Sequence, residues 1–383
     1  MQRTIAVLPG DGIGREVMRE AVRVLKVVAD KFGHEFHLNE GSAGGAAYEK
    51  YGAHLPQETL DICSASDAIL FGSVGGPVSE STLPKWVDCE RNSILTLRKT
   101  FKFAVNLRPA KVYSGMEEIS PLKKEVLDRG VDMLIIRELL GDAYFGRHEE
   151  GERNGVRYAS DESEYNEDQI KVAAHAGFKA ARLRKKRLTS VDKANVLTAS
   201  RLWRKVVKEV SSEYPDIQLE DMLVDNCAMQ LIKDPAQFDV IVTSNMFGDI
   251  LSDAAAAIPG SLGLCASASI NDQGFGLYEP PGGSAQDIAG KGIANPIAQI
   301  LSAALLLRYS FAMETEAQAI ENAVEAALKA GYRTGDITRS TAGDTTKNST
   351  EKLVGTEAMT NAIIEELEKT NAKSGKKEAV ATA

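Results

Sequence analysis

Residues 238–253 read FDVIVTSNMFGDILSD. The opening FDVIVT is an apolar, β-branched run of the kind that forms a strand buried on both faces. The continuation SNMFGDILSD has helical spacing, so the chain passes from strand to helix within a few residues. Asp249 and Asp253 lie four apart on that helix and share a face, where two like charges repel by about 0.2–0.5 kcal/mol. Two accounts are open. Ser244 or Asn245 can cap the helix, and the helix dipole favours acidic residues in a first turn, which suits Asp249 better than Asp253. Alternatively both carboxylates bind a divalent cation, with oxygen ligands suited to magnesium or manganese.

Working outward, the pattern repeats. TIAVLPG (4–10) precedes an amphipathic stretch from Glu16 to Lys31, with Val17, Val24, Leu25 and Val28 on one side and Gly33 at its close. DAILFG (67–72), VDMLIIRE (131–138) and RLTSVD (187–192) are further short apolar runs with helical patterns between most of them. That alternation defines an α/β protein with a largely parallel sheet. The 383 residues suffice for two domains, and 43% hydrophobic with 26% charged is an ordinary globular composition. No repeat is evident, and residues 374–383 (SGKKEAVATA) read as a frayed tail.

A formal charge of −9 argues against broad affinity for nucleic acid or anionic membranes. The basic stretch LRKTFKFAVNLRPAKV (97–112) reads, on composition alone, as a solvated basic face. MQRTIAVLPGDG lacks the form of a signal peptide, and IAQILSAALLLRYSF is broken by Gln299, Ser302 and Arg308 before it could span a membrane, so a cytoplasmic location is expected. Cys63, Cys89, Cys227 and Cys265 have neither zinc nor disulfide spacing and are expected to be buried free thiols. Glycines 10, 12 and 14 in LPGDGIGRE give GxGxG rather than GxGxxG, which indicates a tight strand-to-helix turn and no Rossmann unit. FGSVGGP (71–77) and EPPGGSAQDIAG (279–290) are glycine-rich turns through which backbone could approach a phosphate.

In order along the chain, LPGDGIGREV, FGSVGGP, LRKTFKFAVNLRPAKV, IRELLGDAYFG, TSVDKANVL, VDNCAMQL, TSNMFGDILSD and GLYEPPGGSAQDIAGKGIANPIA resemble the isocitrate/isopropylmalate dehydrogenase family of metal-dependent β-decarboxylating dehydrogenases. The likeness, closest to the isopropylmalate branch, runs from about Ile5 to about Leu367. It implies two α/β domains with a non-Rossmann dinucleotide site in the cleft between them. Residues 1–103 with 260–370 would form the NAD-binding domain, 104–259 the substrate, metal and dimer domain, and 371–383 a flexible tail. The implied reaction is NAD-dependent oxidation of 3-isopropylmalate and loss of the carboxylate β to the new ketone, giving 4-methyl-2-oxopentanoate and CO2 for leucine biosynthesis. The implied assembly is a homodimer.

The same resemblance distributes roles. Asp249 and Asp253, with Asp225 of the partner subunit, would bind Mg²⁺ or Mn²⁺, which holds the substrate hydroxyl and adjacent carboxylate. Arg98, Arg108 and Arg137 match carboxylate-binding arginines, whose forks suit bidentate recognition. Tyr144 matches the acid that protonates carbon, and Lys193, donated across the dimer, the residue that assists removal of the hydroxyl proton. Asp287 would accept bonds from the adenosine ribose and repel a 2′-phosphate, favouring NAD over NADP. Gly75, Gly76, Glu279, Gly283, Ser284, Ala285, Ile288 and Asn295 complete the implied cofactor site.

Three positions depart from the family pattern: Gly282 where many members have histidine, Gln286 where proline is commonest, and Arg91 where a glutamate usually lies seven residues before Arg98. Gln286 is expected to loosen its loop. Glu90 sits one place earlier than usual, and Ile94 and Leu95 offer the apolar contact expected for an isopropyl group. A polar or cationic group facing the γ-position, for which Arg91 is the candidate, would instead suit tartrate, homoisocitrate or isocitrate. A non-catalytic subunit of the same fold would be expected to lose Lys193, Tyr144 or an aspartate, and all are present.

Overall fold

The structure, a computed structural model, describes residues 1–339 and 351–369. The tail expected at 371–383 lies outside them. Two compact units form, residues 1–97 with 277 onward and residues 98–276; the sequence reading draws these lines at 103 and 260. Strands and helices are numbered along the chain.

In the first unit β1 (Gln2–Gly10), β2 (Glu35–Glu40), β3 (Ala68–Ser73) and β12 (Gly276–Glu279) lie in the order β2-β1-β3-β12, all parallel. Helix α1 (Gly14–Phe32) packs on β1 and β3 through Val17, Val24, Leu25 and Val28, and Gly33 ends it in a left-handed conformation at φ 73°. Helices α2 (Gly44–Tyr51) and α3 (Gln57–Ser64) also meet β1. A π-helical turn over Arg91–Leu95 leads into α4 (Thr96–Thr100). The apolar run IAQILSAALLLRYSF becomes α10 (Ile297–Tyr309), buried from Ile297 to Leu307 between β3 and α11 (Glu314–Lys329). α12 (Thr356–Lys369) packs on α1 and α11. Among the described residues no helix is long and apolar enough to cross a membrane.

In the second unit the order is β11-β4-β5-β10-β8-β9, from β4 (Val105–Lys111), β5 (Asp132–Glu138), β8 (Arg187–Asp192), β9 (Gln218–Leu223), β10 (Val240–Thr243) and β11 (Ser267–Ile270). β5, β10, β8 and β9 are parallel, whereas β4 runs antiparallel to β5 and β11. The apolar runs read from sequence are β1, β3, β5, β8 and β10, and the last four are buried almost throughout, as strands covered on both faces must be. The basic stretch departs from its reading: Val105–Leu107 are buried strand, so its second half is sheet and only some of its cations point outward.

Side-chain parity assigns the covering helices. Ile135, Val191 and Ile241 join Cys227 and Leu231 of α8 (Val224–Lys233) and Leu251 and Ala255 of α9 (Asn245–Ala256) in one core. The alternate residues Leu188 and Val242 meet Gly177 of α6 (Glu167–Arg182), which packs with α7 (Thr198–Ser211). A short helix, α5 (Lys124–Leu127), precedes β5. β6 (His148–Arg153) and β7 (Val156–Asp161) form a separate, mostly exposed hairpin turning at Asn154–Gly155, both at positive φ. All four cysteines are buried and free, and burial pushes each thiol up to about 12.

Candidate active site

The repulsion between Asp249 and Asp253 is offset by arginines from the sheet beneath α9. Arg108 on β4 places Nη1 2.5 Å from Asp253 Oδ1 and Nη2 3.8 Å from Asp249 Oδ1. Arg137 on β5 pairs with the same Asp249 oxygen. The antiparallel register sets Asn106 opposite Arg137, so Arg108, two residues along, emerges diagonally beside it on the same face. Asn106 Oδ1 accepts from Arg108 Nε at 2.7 Å and Asn245 Oδ1 from Arg137 Nε at 2.9 Å, which fixes both guanidinium planes. Gly248 lets the helix come this close, since a Cβ there would lie 2.6 Å from Arg137 Cγ.

Tyr144 completes the group. Its hydroxyl donates to Asp249 Oδ2 at 2.8 Å, and its ring lies 5.4 Å from the Arg137 guanidinium carbon. Burial and the neighbouring Asp249 carboxylate raise the phenol pKa. Burial pushes Arg137 down to about 10; Asp249 opposes that shift and the like charges of Arg108 and Arg98 add to it. Arg98, half-buried on α4, is therefore part of the same positive cluster. A set of forks held this way can take a dianionic substrate with two carboxylates.

Lys193 and Asp225 form a second cluster in the same unit. Lys193 follows Asp192, a buried carboxylate gripped by both arms of Arg204 at 2.8 Å, and its Nζ meets Asp225 Oδ1 at 2.6 Å. That ammonium holds the Asp225 carboxyl below the usual range. Among the described residues no three acidic, cysteine or histidine side chains stand together as a metal site. Asp249 and Asp253 offer hard oxygens on one face, with the Asp253 side chain 67% exposed, so the pair could supply two carboxylates to a divalent cation. Magnesium or manganese fits that donor chemistry.

Neither capping expectation for α9 holds. Ser244 stands at the N-cap without a side-chain capping bond, the Asn245 side chain is engaged by Arg137 and Gly141, and the first turn holds no acidic residue.

The expected cofactor residues gather in the first unit. A Cβ at Gly10 would lie 2.0 Å from Ser73 O and one at Gly12 2.0 Å from Ser284 O, so the GxGxG turn exists because two other loops cross it at backbone distance. Between them the buried Asp11 accepts from the amides of Gly45 (2.8 Å), Ala46 (2.8 Å) and Gly75 (3.0 Å). Ser284 O accepts from Ile13 N at 2.8 Å, and Ala285 adopts φ 39°. Gly76 carries the indole of Trp86, 2.2 Å from where a Cβ would stand, so packing alone explains that glycine. Asp287 and Gly283 are exposed, Ile288 and Glu279 half-buried, and Asn295 bonds Asp336 and the first amide of α10. Gln286 reverses its expectation: its Nε2 donates to Gly75 O at 2.8 Å and ties the two glycine-rich loops together. Glu90, Ile94 and Leu95 flank or occupy the π turn, which takes up one residue more than an α turn and accommodates the one-place shift read for Glu90. Ile94 is buried there and Leu95 is 45% exposed, so of the two expected apolar residues only Leu95 lies at the surface.

The sequence reading missed Asp11, Glu138, Asp142 and Tyr165. The first three stand inside quoted motifs but were not singled out; Tyr165 carries no local signal.

The fold is that of a two-unit α/β protein, and comparison gives its class: the profile described as isocitrate/isopropylmalate dehydrogenase matches residues 4–363, so the chain belongs to that family and is a dehydrogenase. Among its relatives, a protein of Clostridium pasteurianum named 3-isopropylmalate dehydrogenase is 51% identical over 95% of this chain and 99% of its own. Another of that name from Haemophilus influenzae is 53% identical over 91% of this chain and 96% of its own. The crystal structure of isocitrate dehydrogenase from Methylococcus capsulatus superposes with TM-score 0.79 at 33% identity, covering 95% of this chain and 99% of that one. A β-decarboxylating dehydrogenase from Thermococcus kodakarensis in its apo form gives 0.77 at 33% identity, covering 96% of each.

Proposed function

We propose that the enzyme oxidises 3-isopropylmalate with NAD and releases CO2 and 4-methyl-2-oxopentanoate, a step of leucine biosynthesis, in the cytoplasm and as a homodimer. The observation that carries this reading is the joining of Arg108, Arg137, Tyr144, Asp249 and Asp253 in one cluster, in a chain half identical to proteins bearing the 3-isopropylmalate dehydrogenase name. The three arginines bind and orient the two substrate carboxylates. Lys193 assists removal of the hydroxyl proton, and Tyr144 delivers a proton to the carbon from which CO2 departs, as its raised pKa suits a group that holds its proton at neutral pH. Asp249 and Asp253, with Asp225 of the partner subunit, would hold Mg²⁺ or Mn²⁺, which when bound withdraws charge from the substrate oxygens while NAD takes the hydride. The exposed Asp287 favours NAD over NADP, and Leu95 offers the isopropyl group an apolar contact.

The test follows NADH formation with 3-isopropylmalate, isocitrate, homoisocitrate, tartrate and malate, each with NAD or NADP, with Mg²⁺ and with excess EDTA. Activity confined to 3-isopropylmalate and NAD and abolished by EDTA is expected. Preference for a substrate with a charged γ-group would move the specificity to Arg91, which is exposed at the head of the π turn. Lys193→Met should remove most turnover and leave NAD binding intact.

A further inference from the structure

Helix α9 carries both aspartates, yet residues remote in sequence hold its N-terminus. Ser244 Oγ is buried without a hydrogen-bond partner. The Asn245 amide donates to Tyr165 Oη at 2.8 Å and the Met246 amide to Asp142 Oδ2 at 3.1 Å. Tyr165 in turn donates to Glu138 Oε2 at 2.8 Å, and Asp142 accepts from Ser163 Oγ at 2.6 Å and Ala143 N at 2.9 Å. The consecutive β5 residues Arg137 and Glu138 thus grip the same helical residue by opposite ends. Arg137 holds the Asn245 side chain, which also donates to Gly141 O at 3.0 Å; Glu138, through Tyr165, holds its backbone.

We propose that Tyr165 and Asp142 are positioning residues that set the height and rotation of α9 on β5. Through them Asp249 is placed against Arg137 and Tyr144. A helix end capped by its own serine would be free to slide or turn relative to the strand; one capped by side chains anchored to β5 and to the loop after it is not. Catalytic groups displaced by about 1 Å lose on the order of 100-fold in rate, so the clamp bears directly on turnover. The inference rests on the proposed function for its kinetic consequence, though not for its structural one.

Tyr165→Phe in the full-length enzyme removes one hydroxyl and keeps the ring that meets Trp203 at 5.6 Å. Expected are a fall in kcat of at least about 10-fold, a comparable loss of Mn²⁺ affinity by electron paramagnetic resonance, an unchanged KM for NAD, and faster amide exchange across residues 245–250. Asp142→Asn should reproduce all four should Tyr165→Phe fold poorly. Tyr214→Phe is the control: it deletes another buried tyrosine hydroxyl in the same unit, 2.9 Å from His175 Nδ1, and should change none of them. Parent-like exchange and Mn²⁺ affinity in Tyr165→Phe, or equal losses in Tyr214→Phe, overturns the clamp. Should the parent itself turn over no substrate, the functional reading fails while amide exchange still decides the clamp.

Discussion

Glu138 is fully buried, and its partners are the Leu140 and Gly141 amides and the Tyr165 hydroxyl, all neutral donors. Desolvation raises its pKa from 4.5 to about 7, and the Asp142 charge adds to that while the three donors oppose it. Between those two values the folded protein holds a proton that the unfolded chain has released, so stability is greatest below the unfolded value and falls as pH rises through the folded one. The full loss above the window is about 3 kcal/mol. Urea unfolding from pH 5 to pH 8 at fixed protein concentration should show this decline in the parent and a flatter course in Glu138→Gln; parallel pH profiles would refute it. Sequence alone placed Glu138 at the end of an apolar strand and nothing more, because the cost of a buried charge depends on partners that only the fold assembles. The aspartate pair was legible for the opposite reason: its spacing is set by the helix itself. Its arginines were legible only as residue types, since the β4–β5 register that aims them is not written locally.

Elements divide in the same way. Strands covered on both faces announced themselves as short apolar runs, and α1 by its apolar stripe and closing glycine. β4 was hidden because Arg108, Lys111 and Pro109 interrupt its apolar pattern, and a cationic strand residue that serves the site reads like a surface residue. The β6–β7 hairpin did carry a signal, Asn154–Gly155 between two strands, which the reading passed over. The π turn carried only an indirect one, since an extra residue in a helix appears as a one-place shift against an expected spacing, here that of Glu90. Gln286 belongs to this scale because it joins loops: Asp11 holds the Gly75 amide and Gln286 the Gly75 carbonyl, so the residue is fixed through the peptide groups on both sides of it. A net hydrogen bond is worth about 1 kcal/mol, which under the proposed NAD site amounts to roughly 5-fold in affinity. Calorimetric titration of Gln286→Ala with NAD should show that weakening, whereas unaltered affinity would mean the tie is incidental to the cofactor.

At the scale of the molecule, the expected NAD residues all fall in the first unit, and the expected metal and carboxylate ligands all fall in the second. The second unit also exposes apolar surface on its paired helices α8 and α9. Asp225, Met229 and Ile232 fall at i, i+4 and i+7 of α8 and form one stripe, with Met229 53% and Ile232 64% exposed, while Cys227 and Leu231 turn into the core. Ile250, 63% exposed, follows Asp249 on α9. In the proposed homodimer a second copy of the chain covering the α8 stripe would carry Asp225 and its partner Lys193 along with it, which would account for a chain that brings two of the three expected acidic ligands together and keeps the third elsewhere. Burying an unpaired charge in such a contact costs about 3 kcal/mol or more, on the order of 100-fold in association. Ile250→Lys should therefore sediment as a monomer where the parent sediments as a dimer, and lose turnover. Its affinity for NAD, whose expected ligands all lie in the first unit, should stay at the parent value. An Ile250→Lys protein that remained dimeric and active would place the subunit contact on another face and leave Asp225 without a route to the aspartate pair.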